Sequence, residues 1–465
     1  MLISYHFPPS SAVGGLRWQK FAPFFAEQGW DLDVVTLAPE SLPNPDTARL
    51  AELPDSTRVY GVPRPVLPIQ RLEHVLWRLL RSLRPAPARP AAGPAPAQPV
   101  VSRPGSANRR EILAQRRSLR PGAIKRDYHA WLDYAVTRRW AAGALRTGLA
   151  LSREIDYAAV VSCGPPHMAH EAARRLARRS GIPFVMDMRD PWSLVQRLPG
   201  DIASPLWFAL ADRYEGRCVA ESALVVANTE PARAALAARH PAAAARIAAI
   251  PNGFDDERMP QAGGTGRFLI AYAGSVYLDR DPRPLFQAVA RVVRSRGLTP
   301  EDLGIGMIGN VENYGGVPVS VLAREEGIAE FVETGPARPR REAMEFLAGA
   351  QLLVSLPQDS DLAIPSKVFE YMSFPAWILA LADPGSATAD LLSGTGAFAT
   401  APGDVEGIAA VVNRCYEQYV RGVRPEPLSA NRELSRETQA GRLLESIRRL
   451  LPVSPGAMAP SPATR

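Results

Sequence analysis

Two α/β units in tandem, each a doubly wound parallel sheet, are the fold this sequence predicts. Three observations carry that prediction. Short apolar runs alternate with amphipathic helical stretches in the strand-loop-helix-strand order of a parallel sheet. One such series opens at Leu2, and a second opens at Phe268 after the glycine-rich stretch 263–266. At 465 residues the chain has room for two domains that each bury a core.

The elements follow in order. A buried strand over 2–5 leads into a loop over 7–15 that contains Gly14-Gly15, an amphipathic helix over 16–28 and a strand over 32–37. Residues 83–122 are rich in Pro, Ala and Arg and read as a disordered insertion. A helix with Trp131 and Trp140 resumes the pattern, and strands are expected at 158–162, 183–188, 224–227 and 246–250. Pro251-Asn252-Gly253-Phe254-Asp255 then breaks it. In the second unit strands are expected at 268–274, 303–308, 328–334, 351–356 and 377–382. The division is therefore an N-terminal domain over 1–262, a C-terminal domain over 263–430, a closing helix over 431–451 and a disordered tail over 452–465. Two Rossmann-like halves of this kind bind ligand in the cleft between them, at the carboxyl ends of their strands.

Composition narrows the class. The apolar fraction of 46% and charged fraction of 22% fit a soluble globular protein, and no apolar run is long enough to span a bilayer. The N-terminus lacks a secretory pattern, and three scattered cysteines fit a reducing cytoplasm. Positive charge is concentrated: residues 71–146 hold sixteen Lys/Arg against four acids, +12 here and −5 over the rest of a chain of net charge +7. Such a segment suits an anionic membrane surface or a lipid-phosphate acceptor. Nucleic acid is not expected, since no zinc spacing, aromatic RNA-binding signature or helix-turn-helix accompanies the charge.

Several short constellations carry chemistry. Only Lys20, Lys125 and Lys367 are lysines among 54 basic residues, so a lysine is seldom there by default. Lys367 lies in Ile364-Pro365-Ser366-Lys367-Val368-Phe369-Glu370-Tyr371, where Pro365 and Ser366 are suited to opening a helix. Amides at a helix start and a lysine hold phosphate, and Glu370 one turn on can accept hydrogen bonds from vicinal hydroxyls. Together these describe a nucleotide-sugar site. Gly14 and Gly15 let backbone approach a ligand, or simply make a tight turn. His167 and His170 have a metal-compatible spacing without a third ligand, and His167 also reads as a polar contact in the cleft. In Asp187-Met188-Arg189-Asp190-Pro191-Trp192, an Arg–Asp pair pins the loop, or Asp190 contacts or deprotonates an acceptor hydroxyl. Arg280, after Gly274-Ser275, is placed to reach a diphosphate, or is a solvated loop arginine.

These segments together, with Tyr5-His6-Phe7-Pro8-Pro9 and Tyr272-Ala273-Gly274-Ser275, resemble the GT-B-fold retaining glycosyltransferases of family 4 over nearly the whole chain. The resemblance implies two Rossmann-like domains facing across a cleft, with the C-terminal helix returning to the first. It implies a nucleotide diphosphate-sugar donor on the second domain, a glycan or lipid-linked acceptor on the first, retention of configuration and no obligatory metal or other cofactor. Donor contacts fall to Gly14, Gly15, Gly274, Ser275, Arg280, Asp361, Ser366, Lys367 and Glu370. Acceptor contacts fall to His167, Asp187, Arg189 and Asp190. The catalytic group is Asp190, Arg280 and Lys367. The chain departs from the family at Leu362, where a first glutamate is usual and Asp361 stands beside it, at Ser275, where an arginine is common, and at Arg189, where a histidine is common. The subgroup with D-x-R-D-P-W and P-S-K-x-F-E-Y is linked to bacterial surface polysaccharide assembly, which implies a cytoplasmic protein peripheral to the inner face of the plasma membrane. The alternatives are a GT-B-shaped scaffold subunit without turnover and a nucleic-acid binder acting through the insertion.

Overall fold

The structure is a computed structural model and describes residues 1–73, 106–114, 120–257, 259–260, 266–277, 279–357 and 361–452. The first sheet has seven parallel strands, β1 (Leu2–Ser4), β2 (Leu32–Leu37), β3 (Thr57–Val62), β4 (Val160–Gly164), β5 (Phe184–Met188), β6 (Leu224–Ala227) and β7 (Ile247–Ala249), in the order β3-β2-β1-β4-β5-β6-β7. The second has six, β8 (Phe268–Ser275), β9 (Leu303–Asn310), β10 (Val332–Gly335), β11 (Leu352–Ser355), β12 (Trp377–Leu381) and β13 (Phe398–Thr400), in the order β10-β9-β8-β11-β12-β13. Both sheets follow the order of a doubly wound sheet, whose crevice lies where the order reverses beside its first strand. The two-domain GT-B architecture expected from the sequence is the one observed.

Strands β2, β4 and β5 are buried at every residue, as sheets covered on both faces require. Helices α2 (Pro121–Leu151), α3 (Met168–Ser180) and α4 (Pro205–Glu221) cover one face of the first sheet. On the other face α1 (Leu16–Glu27) sets Trp18, Phe21 and Phe25 against Val34 and Val161. In the second domain α5 (Arg283–Arg296) and α8 (Val405–Val420) share one face, while α6 (Arg340–Ala348) and α7 (Ser366–Tyr371) contribute to the other. The last helix, α9 (Arg436–Arg448), starts where the Ser435 hydroxyl accepts from the Thr438 amide. It buries Leu443, Leu444 and Ile447 in the cluster around α1, so it returns to the first domain. Each such side chain contributes about 1.5–3 kcal/mol. Among the described residues no helix is long and apolar enough to cross a membrane.

The edge strands β3 and β13 were not expected; each lies at a sheet margin, where partial burial weakens the apolar pattern. Residues 83–122 need a correction. Within them Ser106–Asn108 pairs antiparallel with Arg197–Pro199, and Arg109–Ala114 is a helix that buries Ile112. The rest of that expected insertion up to residue 119, and the expected tail from 453, lie outside the described residues.

Pro251-Asn252-Gly253-Phe254-Asp255 is where the chain leaves the first domain and where α9 comes back. The Phe254 amide donates to the Leu434 carbonyl at 3.0 Å, and the Arg436 amide donates to the Phe254 carbonyl at 2.7 Å. Gly253 has φ 76°, and a Cβ there would stand 2.8 Å from the Arg436 backbone, so only glycine fits this crossing. Arg17 of α1 holds the crossing to the first sheet. Its Nε lies 3.0 Å from Asp187 Oδ2, and its other nitrogens donate to the Ile250 and Pro251 carbonyls at 3.0 and 2.8 Å. The same Asp187 oxygen accepts from Trp18 Nε1 at 2.7 Å. The two charged side chains are 2% and 1% exposed. Removing one partner of such a pair leaves an uncompensated buried charge. Asp187→Ala is expected to destabilise the first domain by about 3–5 kcal/mol, read as a lowered urea midpoint. A loss within measurement error would show that the pair holds nothing.

Candidate functional site

A cavity of about 770 Å³ opens between the domains, within the range of ligand pockets. Gly14 follows β1, His167 follows β4, and Arg189 and Asp190 follow β5 on its first-domain wall. Tyr277 and Arg280 follow β8 on the opposite wall, beside Ile364, Pro365 and Ser366. Asn252 and Arg436 from the chain crossing also line it. Strand carboxyl ends of both sheets therefore meet in one place, as doubly wound folds demand.

On the first-domain wall the groups interlock. Arg189 donates to the Gly164 and Pro165 carbonyls at 2.9 and 3.3 Å, and its guanidinium passes over Gly14. A Cβ at Gly14 would stand 3.1 Å from those guanidinium nitrogens and from His6. Gly15 is buried against Phe7, where a Cβ would be 3.0 Å from the Phe7 Cα, so it tightens the turn. Asp190 is exposed on the cavity wall. The His167 ring stacks on Trp192 at 4.9 Å, and Trp192 donates to the Tyr134 hydroxyl at 2.9 Å. Behind it His170 is buried, 2.7 Å from the Ser162 hydroxyl and 3.5 Å from His167. Burial and the nearby Arg189 push the His170 pKa down to about 3, and burial with the neighbouring His170 pushes that of His167 well below its usual value. Asp187 is a correction: held by Arg17 and Trp18 and 1% exposed, it pins the fold and does not reach an acceptor.

On the second-domain wall the Arg280 guanidinium lies 4.6 Å from the Tyr277 ring. Ser366 opens α7 and is exposed at the cavity. The Lys367 ammonium folds back onto β8, 3.0 Å from the Ala273 carbonyl and 4.4 Å from the centre of the Tyr272 ring. Gly274 makes room for it, since a Cβ there would stand 2.0 Å from Nζ. Ser275 accepts from the Asn310 amide group at 3.1 Å. Glu370 is engaged by Arg340 at 2.8 Å, and Arg340 also binds Glu257 at 2.8 Å. Asp361 is exposed, and its carbonyl accepts from the Ala387 amide at 2.8 Å. The Leu362 carbonyl accepts the Thr229 hydroxyl at 2.7 Å, so this position ties the domains together.

Gly14, His167, Arg189, Asp190, Arg280 and Ser366 are thus brought to one cavity. Among the described residues Gly15, Asp187, Gly274, Ser275, Asp361, Lys367 and Glu370 stand outside its lining. Arg17 and Arg340 lie outside the motifs that mark the site in the sequence. The signal for Arg17 was a cation on the apolar stripe of α1, one turn before Phe21. Nothing local marks Arg340, whose partners are 30 and 83 residues away.

The histidines make acid stability testable. Their folded pKa values lie below the unfolded one, so the unfolded chain binds more protons once pH falls below the ordinary histidine range. Stability is then full above about pH 6.5 and declines toward pH 3. His170→Asn should flatten that decline in unfolding measurements across the window. An unchanged slope would show that His170 titrates normally.

Residues 100–258 match the family model described as Glycosyltransferase Family 4. No curated protein matches the chain in sequence. Solved structures do match in fold. Anabaena HepE, crystallised in complex with UDP-glucose, has TM-score 0.57 and 12% identity, over 96% of this chain and 99% of that one. A glycosyltransferase from Rickettsia africae has TM-score 0.58 and 10% identity, over 97% and 99%. Sucrose-phosphate synthase from Thermosynechococcus elongatus has TM-score 0.57 and 12% identity, over 97% and 98%. At these identities the likeness is one of fold. Residues 100–258 are thus similar to Glycosyltransferase Family 4, and the chain has the GT-B fold across both its domains.

Proposed function

We propose that the chain transfers a sugar from a nucleotide diphosphate-sugar to an acceptor hydroxyl, with retention of configuration, in bacterial polysaccharide or glycolipid synthesis. The observation that carries this reading is the interdomain cavity where Arg280 and the start of α7 face Asp190 and His167. A similar fold, that of HepE, was solved with UDP-glucose, which supports a nucleotide-sugar donor. Arg280 and α7 amides take the diphosphate, and Lys367 swings from the Ala273 carbonyl to join them. As the bond from the sugar to the diphosphate breaks, its electron pair leaves with the phosphate, whose charge these groups stabilise. The acceptor oxygen attacks from the same face, and Asp190 takes its proton. This cationic set supplies the charge stabilisation, so no metal is obligatory. His167, kept neutral, orients the acceptor. The protein is cytoplasmic, and segment 71–146 contacts an anionic inner membrane face that presents a lipid-linked acceptor.

Glu370 takes the donor ribose hydroxyls in exchange for Arg340. That pair is exposed enough to be worth about 0–1 kcal/mol, so a ligand can displace it. Isothermal titration with UDP and GDP tests the site. Lys367→Ala and Glu370→Ala should each weaken binding by roughly tenfold or more, about 1.4 kcal/mol. Arg340→Ala should leave binding unchanged or tighter. If Lys367→Ala and Glu370→Ala bind and turn over like wild type, the donor assignment is wrong. Nucleotide binding without transfer to any acceptor would favour the scaffold-subunit reading, which the Leu362 departure also motivates.

A further inference from the structure

We propose that a groove on the outer side of α2 is a docking site for the anionic phospholipid headgroups of a bilayer. This deepens the membrane part of the reading above and does not depend on the donor chemistry. The groove measures about 770 Å³ and lies between α2, α3 and α4. Trp131, Arg138 and Arg139 come from α2, Arg175 from α3, and Tyr214 and Arg217 from α4. Ion pairs are common in this protein, yet among the described residues none of these four arginines has an acidic partner. The one acid in the lining, Glu171, has both oxygens held by Arg174 at 2.8 and 2.9 Å. The groove is therefore strongly positive and faces solvent.

Its rim is apolar. Trp131 is 45% exposed, Ile69 38%, Leu72 57% and Ile124 51%. Ile69 and Trp131 line the groove itself, and Trp131 stacks on Tyr128, whose hydroxyl donates to Glu73, the neighbour of Leu72, at 2.7 Å. Exposed aliphatic and aromatic groups around uncompensated arginines match a bilayer interface, where indole rings sit at headgroup level and guanidinium groups meet phosphates. A nucleic acid would use the arginines and leave the aliphatic rim in water. The opposite side of the same helix supplies Asp133, Tyr134 and Thr137 to the interdomain cavity. Helix α2 therefore lines both the groove and the interdomain cavity, so a lipid-linked acceptor held at the groove would lie near the reaction site.

Flotation of the full chain with phosphatidylglycerol or phosphatidylcholine vesicles tests this. Wild type should float with the anionic vesicles and not with the neutral ones, and salt should weaken the association. Changing Arg138, Arg139, Arg175 and Arg217 together to Gln should lower the partition about a hundredfold or more. Trp131→Ala should lower it about tenfold and keep the salt dependence. UDP and GDP titration and melting curves on the same variants report folding and the donor site separately, so the two readings fail independently. The proposal is overturned if the quadruple variant floats like wild type, if wild type ignores anionic vesicles, or if inorganic phosphate or duplex DNA displaces them at equal charge.

Discussion

A single buried guanidinium joins the first sheet to the chain crossing between the domains. Arg17 reaches Asp187 at the end of β5 and the carbonyls of Ile250 and Pro251 at the same time. Several groups of the first-domain wall adjoin it. Gly14 and Gly15 immediately precede α1, which carries Arg17. Asp190 is three residues beyond Asp187, and Asn252 adjoins Pro251. Isolated charges this deep are unfavourable, so the pair persists because its oxygens and nitrogens have other partners too. Trp18 and the two carbonyls satisfy them.

The second domain is tied on by weaker, more exposed contacts. Lys20, Glu257, Arg340 and Glu370 alternate in charge from α1 to α7, with neighbours at 3.2, 2.8 and 2.8 Å. Although partial burial opposes it, Arg340 and Lys20 hold the Glu257 carboxyl below its usual range. Each link is partly solvated and contributes little alone. Breaking such pairs costs less than breaking the buried Arg17 cluster.

How much of this was legible in the sequence depended on burial. The central strands stand out because apolar residues such as Val34, Val161 and Val185 dominate them, while β3 and β13 are half-solvated at the margins and carry mixed residues. Residues 106–114 were hidden by the Pro/Ala/Arg bias of their neighbours, although Ile112 marks a buried point. For the site, the loops after β1, β4, β5 and β8 were found, because glycine pairs, histidine and charge at a strand end are local signals. Asp187 and Asp190 looked alike at that level. What separates them is position: Asp187 lies within β5, which is buried at every residue, and Asp190 lies in the exposed loop beyond its end.

The two doubly wound domains, the returning helix and the loops that line the cleft are already written in the sequence. These follow from periodicity and turn chemistry, which act between near neighbours. Tertiary structure alone decided which charges meet. Arg17 finds Asp187 across 170 residues, Arg340 finds Glu370 across 30, and Lys367 turns back onto Ala273 across 94. Coulombic and hydrogen-bonding partners are chosen by distance in space, which the order of residues does not carry. The groove of arginines from three helices has the same origin, since only packing brings residues 138, 175 and 217 to one surface.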